Sequence, residues 1–300
     1  MKILSYRYEN LVKFGPKVKK EEAVWDVLAI QETLQVLPSF PQTIVDGIAN
    51  GMDFVEQMRK LTDAALNSEE PNQFKHAFST IEWLSPIPRT PKNIIAIGRN
   101  YEDHAKEMGV QSAPENLMVF TKSPTTIAAD EETLSIHANV TSSYDYEGEL
   151  AVVISKKGDN IPKKLAYDHV FGYTIANDLT ARDLQSKHQQ FFLGKSLTGS
   201  CPMGPYLVTK DELPDPQGLS IVTKVNGEVR QNGHTKDMIF TVEDLIAQIS
   251  ALVTLEPGDV ILTGTPSGVG KGFNPPKFLA SGDTVKVAVE GIGTLVNRFE

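Results

Sequence analysis

The chain has 300 residues, 40% of them hydrophobic and 22% charged, enough to bury a large core and to build about two domains. Against 29 Lys and Arg stand 38 Asp and Glu, a net charge of −9, which excludes a broadly basic face for nucleic acid phosphates. Cys201 is the single cysteine, so no intrachain disulfide or Cys-rich zinc site can form, and a reduced, cytoplasmic setting is expected.

Residues 1–14 carry charges throughout and lack the apolar stretch of a secretory signal. Residues 24–30 (VWDVLAI) predict a short strand. Ile44, Ile48, Phe54, Val55, Met58 and Leu61 recur at helical spacing and predict a helix over 42–66. Pro86, Pro88 and Pro91 follow a polar stretch and mark a linker. A boundary near residue 90 therefore divides a small domain, 1–90, from a larger one, 91–300.

Beyond the boundary, NIIAIG (93–98) predicts a buried strand, and YEDHAKEM (101–108) a helix stopped by Gly109. Residues 146–155 and 170–177 read as strands, and 180–190 as a helix opening on Thr180. The longest unbroken apolar run, LAVVI at 150–154, is far too short for a membrane span, so no membrane partner is expected. Asn226-Gly227 predicts a type I′ hairpin within 221–230. Thr241 and Asp244 come close to a capping box for a helix reaching Leu252. Strands at 259–263 and 284–299 close the chain. Many short strands, few helices and no regular βαβ rhythm predict an α+β, β-rich fold.

The chemistry concentrates around Glu147 and Glu149. In a strand these two share a face with Ala151 and Val153. Neighbouring carboxylates repel and are costly to bury, and a cation removes both costs. The alternative is two solvated glutamates at a strand end. Asp178 ends another apolar strand, either as a third carboxylate or as a cap for the helix after it. Three carboxylates at strand ends suit a hard cation such as Mg²⁺ or Mn²⁺. His104 and Glu107, at i and i+3, share a helix face, where the carboxylate orients a general base. The same pair is also common on solvated helices. Lys195 and Arg182 either hold a substrate carboxylate or a developing enolate, or are surface charges.

Residues 264–272 (GTPSGVGKG) look like a phosphate loop, but Gly at 265 and Ser or Thr at 272 are missing. There is no GxSxG nucleophile elbow and no HExxH zinc motif. Cys201 reads as a small packed thiol rather than a nucleophile.

The segments GRNYEDHAKEM (98–108), YEGELAVVI (146–154), NDLTARDLQ (177–185), GKS (194–196), CPMGP (201–205), VNGEVRQ (225–231), MIFT (238–241) and LTGTPSGVG (262–270) together resemble the fumarylacetoacetate hydrolase superfamily. The resemblance spans 92–300. The first 90 residues carry no such motif, but their length and the segment GKGFNPPKFLASGD (270–283) are most similar to YisK-type bacterial members.

The resemblance implies a mixed β-sandwich roll as catalytic domain, usually dimeric, beside a smaller amino-terminal α/β domain. It implies Glu147, Glu149 and Asp178 as metal ligands, and His104 and Glu107 as a catalytic dyad on a segment, 99–112, that orders as a lid. Lys195 is a further catalytic candidate. Arg99, Tyr101, Arg182, Gln185 and Thr265 are candidate substrate contacts. The expected activity is metal-dependent cleavage of a C–C bond in a small 2-oxo acid, with hydrolysis of acylpyruvates first. Oxaloacetate decarboxylation is the alternative, and a non-catalytic scaffold on the same fold is the minor one. The protein is expected to be a cytoplasmic homodimer.

Overall fold

In the computed structural model, which describes residues 1–109 and 114–300, Lys2–Tyr8 (β1) and Leu11–Pro16 (β2) form a hairpin. Its turn residues, Glu9 and Asn10, both adopt positive φ, as a tight hairpin turn requires. Ala23–Trp25 (β3) gives way at once to Val27–Leu34 (α1). Residues 24–30 are thus not one strand, because the Asp26 carboxylate accepts the Ala29 N–H and caps a helix. The helix expected over 42–66 is two, Ile44–Ala49 (α2) and Met52–Leu66 (α3). Gly51, at φ +59°, turns the chain between them. Lys75–Ala77 (β4) pairs with β3, and Glu82–Leu84 (β5) with β1.

Ile94–Gly98 (β6), Glu102–Glu107 (α4) and Met118–Lys122 (β7) follow, then the short Ile127–Ala128 (β8) and Thr133–Leu134 (β9). Tyr144–Asp145 (β10), Gly148–Ile154 (β11) and Val170–Asn177 (β12) lead to Thr180–Ala181 (β13), Arg182–His188 (α5) and Phe191–Lys195 (α6). The helix opens at Arg182 and not Thr180, because Thr180 and Ala181 pair with β10. Cys201–Thr209 (β14) precedes the hairpin Ser220–Val225 (β15) and Glu228–His234 (β16), turned at Asn226 and Gly227 with φ of 51° and 86°. Val242–Ser250 (α7) carries both halves of the capping box between Thr241 and Asp244. Val260–Leu262 (β17), Thr284–Val289 (β18) and Gly293–Phe299 (β19) complete the chain.

The larger sheet runs β2-β1-β14-β12-β11-β17-β6-β7, with β5 on β1 and β8 on β14; the smaller runs β16-β15-β18-β19-β9. Alternation along β11 explains the layering. Leu150, Val152 and Ile154 join an apolar cluster with Ile221, Val287 and Leu295 of the smaller sheet. Ala151 and Val153 point the other way and join Phe54, Val55 and Met58 of α3. The result is the mixed, β-rich fold expected. The two expected parts, 1–90 and 91–300, meet in one sheet: β1 pairs with β14, Ile3 opposite Leu207. No helix among the described residues is long and apolar enough to cross a membrane.

Candidate active site

The carboxylates gather where β11 begins and β12 ends. The Glu147 N–H donates to Asn177 Oδ1 at 3.0 Å, and the Asp178 N–H donates to the Glu147 carbonyl at 2.8 Å. Gly148 lies between the two glutamates because the smaller sheet comes too close for any side chain. A Cβ there would stand 2.3 Å from Thr223 Oγ1 and 2.8 Å from Val287 Cγ1. Glu147, Glu149 and Asp178 are buried, with carboxylate oxygens within 4.8 Å of one another.

Their partners are unequal. Lys195 Nζ donates at 2.7 Å to both Glu147 Oε2 and Asp178 Oδ2. Arg182 Nη1 stands 2.7 Å from Glu147 Oε1. Lys122 Nζ is 2.7 Å from Asp178 Oδ1 but out of line for a hydrogen bond, which leaves that buried oxygen without one. Glu149 accepts only the Gly264 N–H, at 2.7 Å, and has no ion-pair partner among the described residues.

The electrostatics follow from this. Burial opposes the charge on Glu147, but Lys195 and Arg182 outweigh it and hold the carboxyl below its ordinary range. For Lys195, burial is likewise outweighed by Asp178 and Glu147, so the ammonium is held charged. Burial, then Asp178, then Glu147 push the Glu149 carboxyl well above its usual range. Three buried carboxylates, of which Glu149 has no ion-pair partner among the described residues, make an all-oxygen donor set that fits a hard divalent cation. Asp178 does not cap α5; Ala181 holds the cap position, with no side-chain hydrogen bond.

His104 lies on α4, with Nδ1 3.1 Å from Glu107 Oε2. Glu107 Oε1 in turn accepts the Gly268 N–H at 2.9 Å. Gly268 must be glycine: its φ is +104°, and a Cβ would fall 1.9 Å from the Arg230 carbonyl. The Tyr146 hydroxyl donates to the Gly268 carbonyl at 3.0 Å. The loop that looked like a phosphate cradle therefore fastens the dyad. Residues 110–112 of the expected lid lie outside the described residues.

A cavity of about 250 Å³ brings together Arg99, His104, Glu147, Glu149, Arg182, Gln185, Lys195 and Thr265. Its other wall is apolar, with Ile97, Met118, Phe120 and Phe191. Glu107 and Asp178 do not line it and stand behind His104 and Lys195. Tyr101 does not line it: the ring is buried in the core, and its hydroxyl has no hydrogen-bond partner among the described residues. A backbone bridge pairs Tyr101 with Met238. Cys201 is buried, and burial pushes its thiol up to about 12, which leaves it unreactive.

Sequence reasoning missed the groups that frame these side chains. Asp145 accepts the Tyr146 and Gly270 N–H groups on Oδ1, and Arg182 Nε and the Lys271 N–H on Oδ2. Asn100 Nδ2 donates to the Thr263 and Phe240 carbonyls, and its Oδ1 accepts the Phe240 N–H. Gln231 accepts the Gly148 N–H and donates to Thr265 Oγ1 and the Pro266 carbonyl. Lys122 is fully buried. Asp145, Asn100 and Gln231 adjoin, lie within or end a segment already singled out, and that was the available signal; Lys122 lies in none of them and had no such signal.

Comparison with known proteins places the fold and the site in context. Residues 93–300 match the family model described as fumarylacetoacetate (FAA) hydrolase C-terminal. An uncharacterized protein of Staphylococcus haemolyticus is 50% identical over 297 residues, 98% of each chain. A fumarylacetoacetate hydrolase from psychrophilic Exiguobacterium antarcticum is 37% identical, with a TM-score of 0.82, over 100% of this chain and 99% of that one. A 5-carboxymethyl-2-hydroxymuconate delta-isomerase from Mycobacterium smegmatis is 31% identical, with a TM-score of 0.74, over 100% and 98%. With its larger part matched throughout and relatives aligned end to end, the chain belongs to the fumarylacetoacetate hydrolase family.

Proposed function

We propose that the protein is a divalent-metal-dependent enzyme that cleaves a C–C bond in a small 2-oxo acid, by hydrolysis of an acylpyruvate. The observation that carries this reading is Glu149, buried beside Glu147 and Asp178 with no ion-pair partner among the described residues, in one cavity with an imidazole oriented by Glu107. Glu147, Glu149 and Asp178 would hold Mg²⁺ or Mn²⁺. When bound, that cation polarises the 2-oxo group and stabilises the negative charge left when the bond breaks.

The side chains supply the rest. Glu107 fixes His104 through Nδ1 and leaves Nε2 for a water proton. The activated water adds to the distal carbonyl. The C–C bond then breaks with its electron pair on the 2-oxo fragment, which takes a proton back from His104. Arg182, Gln185 and Lys195 orient the acid, and the Met118, Phe120 and Phe191 wall limits water. The likeness to a fumarylacetoacetate hydrolase supports hydrolysis. A cavity of about 250 Å³ also suits a four-carbon acid, so oxaloacetate decarboxylation, which needs no attacking water, is the second reading.

Parallel assays with Mg²⁺ or Mn²⁺ on acetylpyruvate, fumarylpyruvate and oxaloacetate test it. Acylpyruvate turnover that a chelator abolishes and metal restores is expected. Turnover of oxaloacetate alone selects the second reading, and no turnover of any of them overturns both.

A further inference from the structure

We propose that Phe78, Trp83 and Tyr206, with Asp130 and Glu131, form a second binding site, for a small organic ammonium ion. A cavity of about 460 Å³ opens between β5, β14 and the start of β19, and all five residues line it. It shares no lining residue with the active site. Phe78 meets Trp83 edge to face with centroids 4.7 Å apart, and Trp83 meets Tyr206 the same way at 5.9 Å. Faces of such rings attract ammonium groups. Two of these rings already do so: Lys17 Nζ lies 5.1 Å from the Phe78 centroid, and Lys2 Nζ 5.4 Å from that of Tyr206. Both cations are committed, Lys17 to Glu22 Oε1 at 3.1 Å and Lys2 to the Ile292 carbonyl at 2.8 Å, and neither lines the cavity. Trp83, between the two rings, has no cation on it among the described residues.

The carboxylates beside the rings have no counter-charge: Asp130 and Glu131 enter no ion pair among the described residues. The turn that carries them is braced by β19. Asp130 Oδ1 accepts the Val296 N–H at 2.7 Å, and the Glu131 N–H donates to the Val296 carbonyl at 2.8 Å. Asn297 Nδ2 donates to the Ala129 and Glu132 carbonyls at 2.9 and 3.0 Å. These bonds hold Glu131 at φ +62°, costly for a non-glycine residue, and set the backbone from which both carboxylates project before any ligand arrives. Burial, with Glu131 beside it, pushes the Asp130 carboxyl up to about 6 against the Val296 N–H, so near neutral pH it is a half-buried anion. A bare metal ion would gain no ligand from the rings, and a neutral apolar molecule would gain nothing from the carboxylates. An ammonium group on an apolar body uses both walls of the cavity.

Two probes of similar size separate charge from apolar contact: 2-phenylethylammonium, and 2-phenylethanol, which carries a hydroxyl in place of the ammonium. Calorimetric titration of the full chain reads both. Wild type is expected to bind the ammonium about tenfold or more tightly than the alcohol, the scale of a charge-assisted hydrogen bond. Asp130→Asn keeps an oxygen for the Val296 N–H and drops the charge, so it is expected to fold as wild type and lose most of that preference. Glu131→Gln alters an exposed side chain and is expected to reduce the preference too, which keeps the test open should Asp130→Asn fail to fold. Trp83→Leu removes a ring face and is expected to weaken both probes. No saturable binding of the ammonium at millimolar concentration, equal affinity of wild type for the two probes, or a preference undiminished in the folded carboxylate variants overturns the site. Ammonium binding undiminished in Trp83→Leu places the probe elsewhere and overturns it as well.

Discussion

Glu149 is buried against two other carboxylates with, among the described residues, only a backbone N–H donating to it, and this imbalance has consequences that do not depend on turnover. Without metal, Glu149→Gln removes the repulsion while keeping the shape. Thermal unfolding in chelator should show a Tm higher by roughly 2–4 °C, the shift that ~1 kcal/mol gives in a chain of this size. A lower Tm would mean that the charge is compensated after all. His104 makes the complementary case, because it is not a ligand. His104→Ala should keep Mn²⁺ affinity and slow acylpyruvate hydrolysis by roughly 10²–10⁴-fold. Undiminished hydrolysis would show that His104 does not activate the attacking water. The gathering of the three carboxylates and the pairing of His104 with Glu107 were legible because charged residues at β-strand ends or at i, i+3 show in the sequence. Their counter-charges were legible only in part: Lys195 and Arg182 stood out, but Lys122 reaches Asp178 from a separate segment that did not. Tyr101 stood in the right segment yet is buried in the core beside the site and does not line the cavity.

The loop after β17 meets the working parts one by one: Gly264 at Glu149, Gly268 at Glu107, and Gly270 and Lys271 at Asp145. Gly268→Ala places a Cβ against the Arg230 carbonyl and must shift the N–H that fixes Glu107. A fall of about tenfold or more in kcat with Mn²⁺ affinity retained is expected; unchanged kcat would mean that the dyad is held from elsewhere. At the other end of the molecule Asp26 ties three elements, capping α1 while Lys13 of β2 donates at 2.6 Å and His76 of β4 lies at 3.0 Å. Burial opposes its charge, but the Lys13, Ala29 and His76 hydrogen bonds prevail and hold the carboxyl below 3.8. A depressed carboxyl contributes stability above its unfolded value and loses it as pH falls through the folded one. Denaturant unfolding of Asp26→Asn should therefore show ~1–3 kcal/mol less stability at pH 7, with the deficit closing below about pH 4. A constant deficit would assign the effect to packing. Local signals such as Asn226-Gly227 and the Thr241 cap were legible because their bonds close within a few residues. Gly51 and the pairing of Thr180 with Asp145 were not, because backbone sign and strand pairing leave no period in the sequence.

The first 90 residues looked separable because a proline cluster follows them, yet β1 hydrogen-bonds to β14, and Ile3, Phe54 and Met58 share one apolar cluster with Ala151, Val153 and Leu207. Which distant strand β1 would choose was not legible, since Ile3 and Leu207 are brought together only by the fold. Residues 91–300 expressed alone would bare that face and an edge of β14, and gel filtration should find them aggregated. A monomer that unfolds cooperatively would show instead that the larger part stands by itself. The account as a whole depends on three carboxylates, at the start of β11 and the end of β12, acting as one cation site. Calorimetric titration of chelator-treated protein with Mn²⁺, beside a folded Glu149→Ala variant, tests this most directly. One saturable site per chain in wild type, lost or weakened at least about tenfold in the variant, is the expected result; no saturable binding in wild type, or equal affinity in the two, would contradict it.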